Sequence, residues 1–171
     1  MCLKLLRAIF KPRLVIPHPE EPPDYTQMLE NVSIASTLEK WFEVYQVPVE
    51  WRDFWRTQIS IEVRPDIPYP AQTWEQDGIR RLAVRPEWLN PGIIAHEQAH
   101  NSYSLLTPEQ KAEFAIIYAP LKNTDPLIKL LYSKNTYGLT NDVEGMAEIY
   151  RYLGDKVPEV LKPFYPKLFD I

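Results

Sequence analysis

The sequence contains little cysteine, little glycine and no long apolar run, and each shortage excludes a class of protein. Its 171 residues include a single cysteine, Cys2, so an internal disulfide framework is excluded. No stretch reaches the roughly 18 consecutive apolar residues that a membrane-spanning helix requires. Glycine occurs five times against 17 prolines, which predicts stiff loops and few flexible linkers.

Positive charge is also scarce relative to negative charge. Lysine and arginine together number 19, against 23 aspartates and glutamates, so the formal net charge is −4. Because a general affinity for nucleic acid requires a basic face, we expect no nucleic-acid partner. A hydrophobic fraction of 45% and a charged fraction of 25% are typical of globular proteins, and the length suits one domain with or without a tail.

Residues 1–26 form an N-terminal tail that differs from the rest of the chain. Its first residues would form a short amphipathic helix with Lys4, Arg7 and Lys11 on the basic face, a pattern that contacts membranes or partners. Because so short a helix is marginal alone, we favour a frayed terminus or a helix docked on its own domain. The prolines that follow predict extended, polyproline-like backbone. The basic residues interrupt the apolar run and no small-residue cleavage site follows, so we expect a cytoplasmic protein.

Hydrophobic periodicity and capping residues predict an α+β domain in residues 27–171. Apolar and polar residues alternate over 59–63, and residues 71–75 and 79–84 flank Gln76-Asp77-Gly78, so a hairpin is expected. We therefore predict a small antiparallel sheet followed by a mostly helical half. The predicted helices cover 36–47, 51–55, 90–105, 107–118, 125–133, 141–154 and, at the end of the chain, 157–168.

The segment His96-Glu97-Gln98-Ala99-His100 carries the clearest chemical signal. It lies on a helix that Asn90 caps and Pro91 begins. Residues four apart share one helix face, so both imidazoles can reach one metal ion, and Glu97 lies beside them to take a proton from a metal-activated water. This pattern is typical of zinc metallopeptidases. The structural alternative is a pair of histidines on an amphipathic helix with no metal.

Two histidines leave such a metal short of a third protein ligand. A histidine four residues after His100 is excluded by Ser104, and the metzincin spacing is excluded by Tyr103 and Leu106. The remaining histidine, His18, lies in the tail and would have to fold back. A carboxylate further along the chain is therefore the best candidate.

Glu144 and Glu148 are the carboxylates that this requirement selects. They lie four residues apart on one helix face, so one can bind the metal while the other hydrogen-bonds a ligating imidazole. Each also has a structural alternative. With Asn141 as the N-cap, Glu144 takes the capping-box position, and Glu148 would lie on a solvated helix face.

At these positions the chain resembles the gluzincin metallopeptidases, and within them the anthrax lethal factor-like and Pro-Pro endopeptidase group. That group has the histidine–glutamate motif on one helix and, on a later helix, two glutamates four apart with an alanine before the second. A tyrosine precedes the first glutamate by seven residues. The matching positions are His96, Glu97, His100, Glu144, Ala147, Glu148 and Tyr137, and the resemblance covers residues 59–154.

The resemblance implies a zincin-like metallopeptidase domain with a role for each matched residue. His96, His100 and Glu144 would hold Zn²⁺, and Glu97 would be the general base that activates water. Tyr137 would stabilise the oxyanion, although a packed loop anchor is an equal alternative for it. In this group an extended substrate adds to the edge strand before the active-site helix, and we expect strand 79–84 to be that edge. Gly145 departs from the bulkier residue usual in the group, so the later helix is expected to pack differently.

We therefore predict a zinc-dependent endopeptidase whose partner is a protein or peptide substrate. The alternative is a non-catalytic metal-binding interaction module that docks a partner or membrane through the tail. Glu97 favours catalysis, because a structural zinc site takes four protein ligands and needs no free carboxylate beside them. A third hypothesis is latency, in which Cys2 or the tail's carboxylates block the zinc.

Overall fold

The computed structural model describes residues 34–76 and 79–170, so the predictions for the tail, for the boundary at residue 27 and for the turn at 77–78 lie outside it. The elements are α1 (Ile34–Val44), α2 (Val49–Gln58), β1 (Ile59–Val63), β2 (Ala71–Gln76), β3 (Ile79–Val84), α3 (Pro91–Ser104), α4 (Pro108–Thr124), α5 (Pro126–Lys134) and α6 (Asp142–Leu153). Within these ranges the chain forms a three-stranded sheet and six helices, which is an α+β fold, so the predicted fold class is confirmed. None of the described helices is both long and apolar enough to cross a membrane.

The sheet has the order β1-β3-β2. β2 and β3 pair antiparallel, with Thr73 opposite Leu82, as the predicted hairpin requires. β1 instead runs parallel to β3, with Ile61 opposite Leu82, so the sheet is mixed and the prediction of an antiparallel sheet is wrong for this pair. The prediction that strand 79–84 forms the edge is also wrong, because this strand, β3, lies in the centre of the sheet between the edge strands β1 and β2. Alternation of apolar residues fixes which side chains face the core, but it fixes neither strand order nor direction.

Helix α3 lies at the centre of the molecule. It packs against α6, α1 and β2, and its residues from Ile93 to Ala99 are all buried. The Asn90 side chain accepts a hydrogen bond from the Ile93 amide at 3.0 Å, and Pro91 takes the first helical position, so the predicted start is confirmed. The helix that carries the chemical motif is therefore held on several sides by the core.

Two predicted helices differ from the observed ones. α4 continues past residue 118 to Thr124 and contains Pro120, which lies on the exposed face, where water can solvate the carbonyl that proline leaves without a partner. Residues 157–168 form no α-helix; they contain only a short 3₁₀ turn, Lys162–Phe164. Three prolines in this segment remove the amides that an α-helix needs, although Leu161, Tyr165 and Leu168 are buried as the apolar pattern indicated.

Candidate metal centre

Helices α3 and α6 bring together the side chains on which the sequence prediction rests. α3 supplies His96, Glu97 and His100, and α6 supplies Glu144 and Glu148. The two helices pack closely against each other, and a cap fixes the start of each one. The α6 cap is Asn141, whose side chain accepts a hydrogen bond from the Glu144 amide at 2.9 Å. The glutamate carboxylate does not return to its cap; it faces the histidines, so the capping-box alternative is wrong.

Three atoms that carry lone pairs converge between these helices, one each from His96, His100 and Glu144. The two Nε2 atoms are 3.0 Å apart, and Glu144 Oε2 lies 3.4 Å from His96 Nε2 and 3.5 Å from His100 Nε2. Tetrahedral zinc, with bonds of about 2.0–2.1 Å to such atoms, separates its ligand atoms by about 3.3 Å. Glu144 Oε2 is also buried without a regular hydrogen-bond donor among the described residues. The triangle therefore fits a zinc ion.

Glu148 fixes the orientation of the His96 ring. Its Oε1 lies 2.8 Å from His96 Nδ1, and Arg151 donates to the same oxygen at 3.2 Å. Because a carboxylate accepts hydrogen bonds and cannot donate them, this contact favours the tautomer with its proton on Nδ1 and its Nε2 lone pair directed at the triangle. Because Glu148 is 1% exposed, the alternative of a solvated helix face is wrong.

The electrostatics of the triangle favour a cation. Burial opposes protonation of His96, but the nearby carboxylates of Glu144 and Glu148 outweigh it and raise the pKa of His96 to about 9. Burial likewise opposes ionisation of Glu144, but the nearby imidazoles of His100 and His96 hold the pKa of Glu144 well below its usual range. Surroundings that stabilise a proton between these groups also stabilise a divalent cation, which displaces that proton on binding.

Glu97 lies beside the triangle without belonging to it. It is 7% exposed, and burial raises the pKa of Glu97, an effect that the neighbouring rings of His96 and His100 partly oppose. Thr73 of β2 contacts it and slightly opposes the rise in this pKa. A carboxyl with a raised pKa next to a metal site can both accept and return a proton, as a general base must.

Tyr137 lies at the mouth of the site. It begins a 3₁₀ turn, Tyr137–Leu139, and its ring centroid is 6.2 Å from that of His96. Burial, the negative charge of Glu144 and a hydrogen bond with that carboxylate raise the pKa of Tyr137, so the phenol stays protonated and can donate. Since the residue is 52% exposed, it is not the packed loop anchor of the alternative interpretation.

Two glycines allow close packing around the site: Gly138 in the loop after Tyr137, and Gly145 in α6. A Cβ on Gly138 would lie 2.8 Å from Cε1 of Tyr132, and one on Gly145 would lie 2.6 Å from Cζ of Tyr118. The Tyr118 hydroxyl contacts that of Tyr132 and donates to the Gly138 carbonyl at 3.1 Å. Gly145 therefore makes room for a buried tyrosine pair, which gives a physical reason for the residue that departs from the family pattern.

Three residues of the site were not predicted from the sequence. They are Thr73, which contacts Glu97, and Asn135 and Arg151, which both bind Glu148. Only Asn135 could have been found from the sequence, because asparagine in a loop often closes a turn by hydrogen-bonding to the backbone amide two residues later. The proposed blocking groups of the tail, including Cys2, lie outside the described residues.

No family model, no curated protein and no solved structure matches this chain. The resemblance to gluzincins therefore stays a prediction that rests on the motif positions.

Proposed function

We propose that this protein is a zinc-dependent endopeptidase of gluzincin type. The observation that carries the proposal is the convergence of His96, His100 and Glu144 into a triangle of zinc-ligand size, with the buried carboxyl of Glu97 next to it. A structural zinc site would take a fourth protein ligand, and no fourth histidine, cysteine or acidic residue joins this group within the described ranges.

In this proposal His96, His100 and Glu144 hold the zinc. Zinc in such a site acts as a Lewis acid and lowers the pKa of water to about 7. Glu148 keeps the His96 ring in the orientation that directs Nε2 at the ion. Glu97 takes the proton of the water that attacks the peptide carbonyl and passes it to the departing amine, which its raised pKa suits.

The phenol of Tyr137 and the edge of the sheet complete the proposed site. Tyr137 donates a hydrogen bond to the carbonyl oxygen as negative charge develops there. β2 pairs only with β3 among the described strands, and its Thr73 contacts Glu97. An extended peptide that pairs with the outer edge of β2 would therefore lie beside the general base.

Peptide cleavage by a Glu97→Gln variant tests this function. The variant keeps the shape of the side chain and removes the base, so we expect zinc content equal to wild type and a loss of turnover of about 10²–10⁴-fold on a peptide library. Glu113→Gln, an exposed glutamate of α4, is the matched control and should leave turnover unchanged. Zinc binding without any cleavage by the wild type would contradict the proposal and favour the non-catalytic metal-binding module.

A further inference from the structure

We propose that Asn135 is a positioning residue that couples the metal ligands to Tyr137. Its side-chain amide connects Glu148, and through it the ring of His96, to the backbone of the loop that presents the phenol. The inference rests on the proposed function, but it concerns a residue that the zinc motif does not include.

The amide of Asn135 donates at one end and accepts at the other, and its Nδ2 also makes a long hydrogen bond of 3.5 Å to the Tyr152 hydroxyl. Its Nδ2 donates to Glu148 Oε2 at 2.5 Å, and its Oδ1 accepts from the Tyr137 amide at 2.9 Å. The other oxygen of Glu148, Oε1, faces His96 Nδ1 at 2.8 Å. One amide therefore connects the first ligand of the motif to the loop tyrosine by three successive short contacts.

The chemistry of these two neighbours selects an amide at position 135. An ionised carboxylate accepts only and a backbone N–H donates only, so the residue between them must both donate and accept. The neighbours also fix which end of the amide is nitrogen. In the opposite orientation the amide oxygen would face the Glu148 carboxylate, and the amide nitrogen would face the backbone N–H of Tyr137. Aspartate would keep the acceptor for Tyr137 and lose the donor for Glu148, while alanine would lose both.

Glu148 depends on this donor because it has little access to water. It is 1% exposed, and among the described residues only Asn135 donates to its Oε2. Leaving a buried carboxylate oxygen without a donor costs the full desolvation of that oxygen and favours a displacement of the side chain. A displaced carboxylate no longer orients the ring of His96 through Nδ1.

The position of Tyr137 depends on the other half of the amide. Asn135 ends α5, where its own N–H donates to the Leu131 carbonyl at 2.9 Å, so the side chain projects from the end of a packed helix. From there it holds the backbone amide of Tyr137, the first residue of the 3₁₀ turn, whose ring is half exposed. The side chain of Asn135 hydrogen-bonds to none of the three triangle residues, so it acts through Glu148 and Tyr137.

Zinc affinity and turnover in two variants of the full chain test this inference. For Asn135→Asp we expect the zinc dissociation constant, measured by chelator competition, to rise about 10–100-fold, the range typical of lost partners of metal ligands. For Asn135→Ala we expect the same rise and, at saturating zinc, a fall in kcat of at least tenfold with KM within about twofold. Asn123→Ala, an exposed asparagine of α4, is the control and should change neither.

A double variant separates positioning from a general effect on folding. If Asn135 acts through the phenol, adding Asn135→Ala to Tyr137→Phe should leave kcat at saturating zinc within about twofold of Tyr137→Phe alone. A fully additive loss, or a zinc affinity of the Asn135 variants within twofold of wild type, would overturn the inference. If the wild type cleaves no peptide, the proposed function fails separately, and the zinc dissociation constants alone decide the role of Asn135.

Discussion

At the scale of single residues, Tyr137 differs from the other groups of the site because it is half exposed while they are largely buried. Its phenol lies near the Glu144 carboxylate, which is one of the proposed metal ligands. With that carboxylate engaged by a metal, the phenol would be available to a substrate oxygen. Its raised pKa keeps the donor proton in place at neutral pH.

Tyr137→Phe removes this donor and nothing else. We expect kcat to fall about 10²-fold, the cost typical of one oxyanion donor, with zinc content unchanged. Because the hydroxyl is near the surface, the free energy of unfolding should stay within about 0.5 kcal/mol of wild type. Tyr69→Phe, which alters a more exposed tyrosine, is the matched control for both measurements. Unchanged turnover would reduce Tyr137 to a scaffold role.

At the scale of elements, the packing of α6 against Tyr118 requires that residue 145 has no side chain. A methyl group there would meet the ring of Tyr118, with Cζ at 2.6 Å, and that ring is fully buried beside Tyr132. The tyrosine cannot move without disturbing its hydrogen bond to the Gly138 carbonyl, next to the proposed oxyanion donor. α6 also carries Glu144, so a displacement at this contact would reach the metal triangle.

Gly145→Ala should therefore destabilise the fold, although alanine is the better helix former. We expect a loss of about 1–3 kcal/mol in the free energy of unfolding, measured by urea denaturation, and a weaker affinity for zinc. Gly92→Ala in α3 is the control; its nearest contact would be Asn90 Oδ1 at 3.2 Å, and its cost should stay below about 1 kcal/mol. Combined with Tyr118→Ala, the Gly145 change should cost less than it does alone, and strict additivity would contradict the packing argument.

Among the elements, the helix starts were predictable from the sequence and the strand order was not. Asn90 and Asn141 each cap a helix as predicted, because a cap is a local contact within four residues. The parallel pairing of β1 and the central place of β3 were not predicted, since strand order depends on contacts distant in sequence. The burial of Glu148 was not predicted for the same reason, because its donors and the covering loop come from other elements.

At the scale of the whole molecule, the proposed ligands connect two helices that are far apart along the chain. His96 and His100 lie on the central helix α3, and Glu144 lies on α6, with α4 and α5 between them in sequence. An ion bound by His96, His100 and Glu144 would therefore connect α3 to α6. Binding to the folded state alone must also raise stability by mass action.

Zinc should therefore raise the melting temperature. At free zinc about 100 times its dissociation constant, the gain is about 2.7 kcal/mol, or roughly 5–10 °C for a domain of this size. Differential scanning fluorimetry with and without a chelator measures it. Glu144→Ala should lose the zinc-dependent rise, whereas Glu97→Gln should retain it. An equal rise in the Glu144 variant would show that zinc stabilises the protein elsewhere.

Elemental analysis of untagged wild type and Glu144→Ala would decide whether His96, His100 and Glu144 bind zinc. We expect about one zinc per wild-type chain and almost none in the variant, because two imidazoles alone hold zinc weakly. No zinc in the wild type after zinc is supplied, or equal zinc in both proteins, would contradict the assignment of His96, His100 and Glu144 as a zinc site.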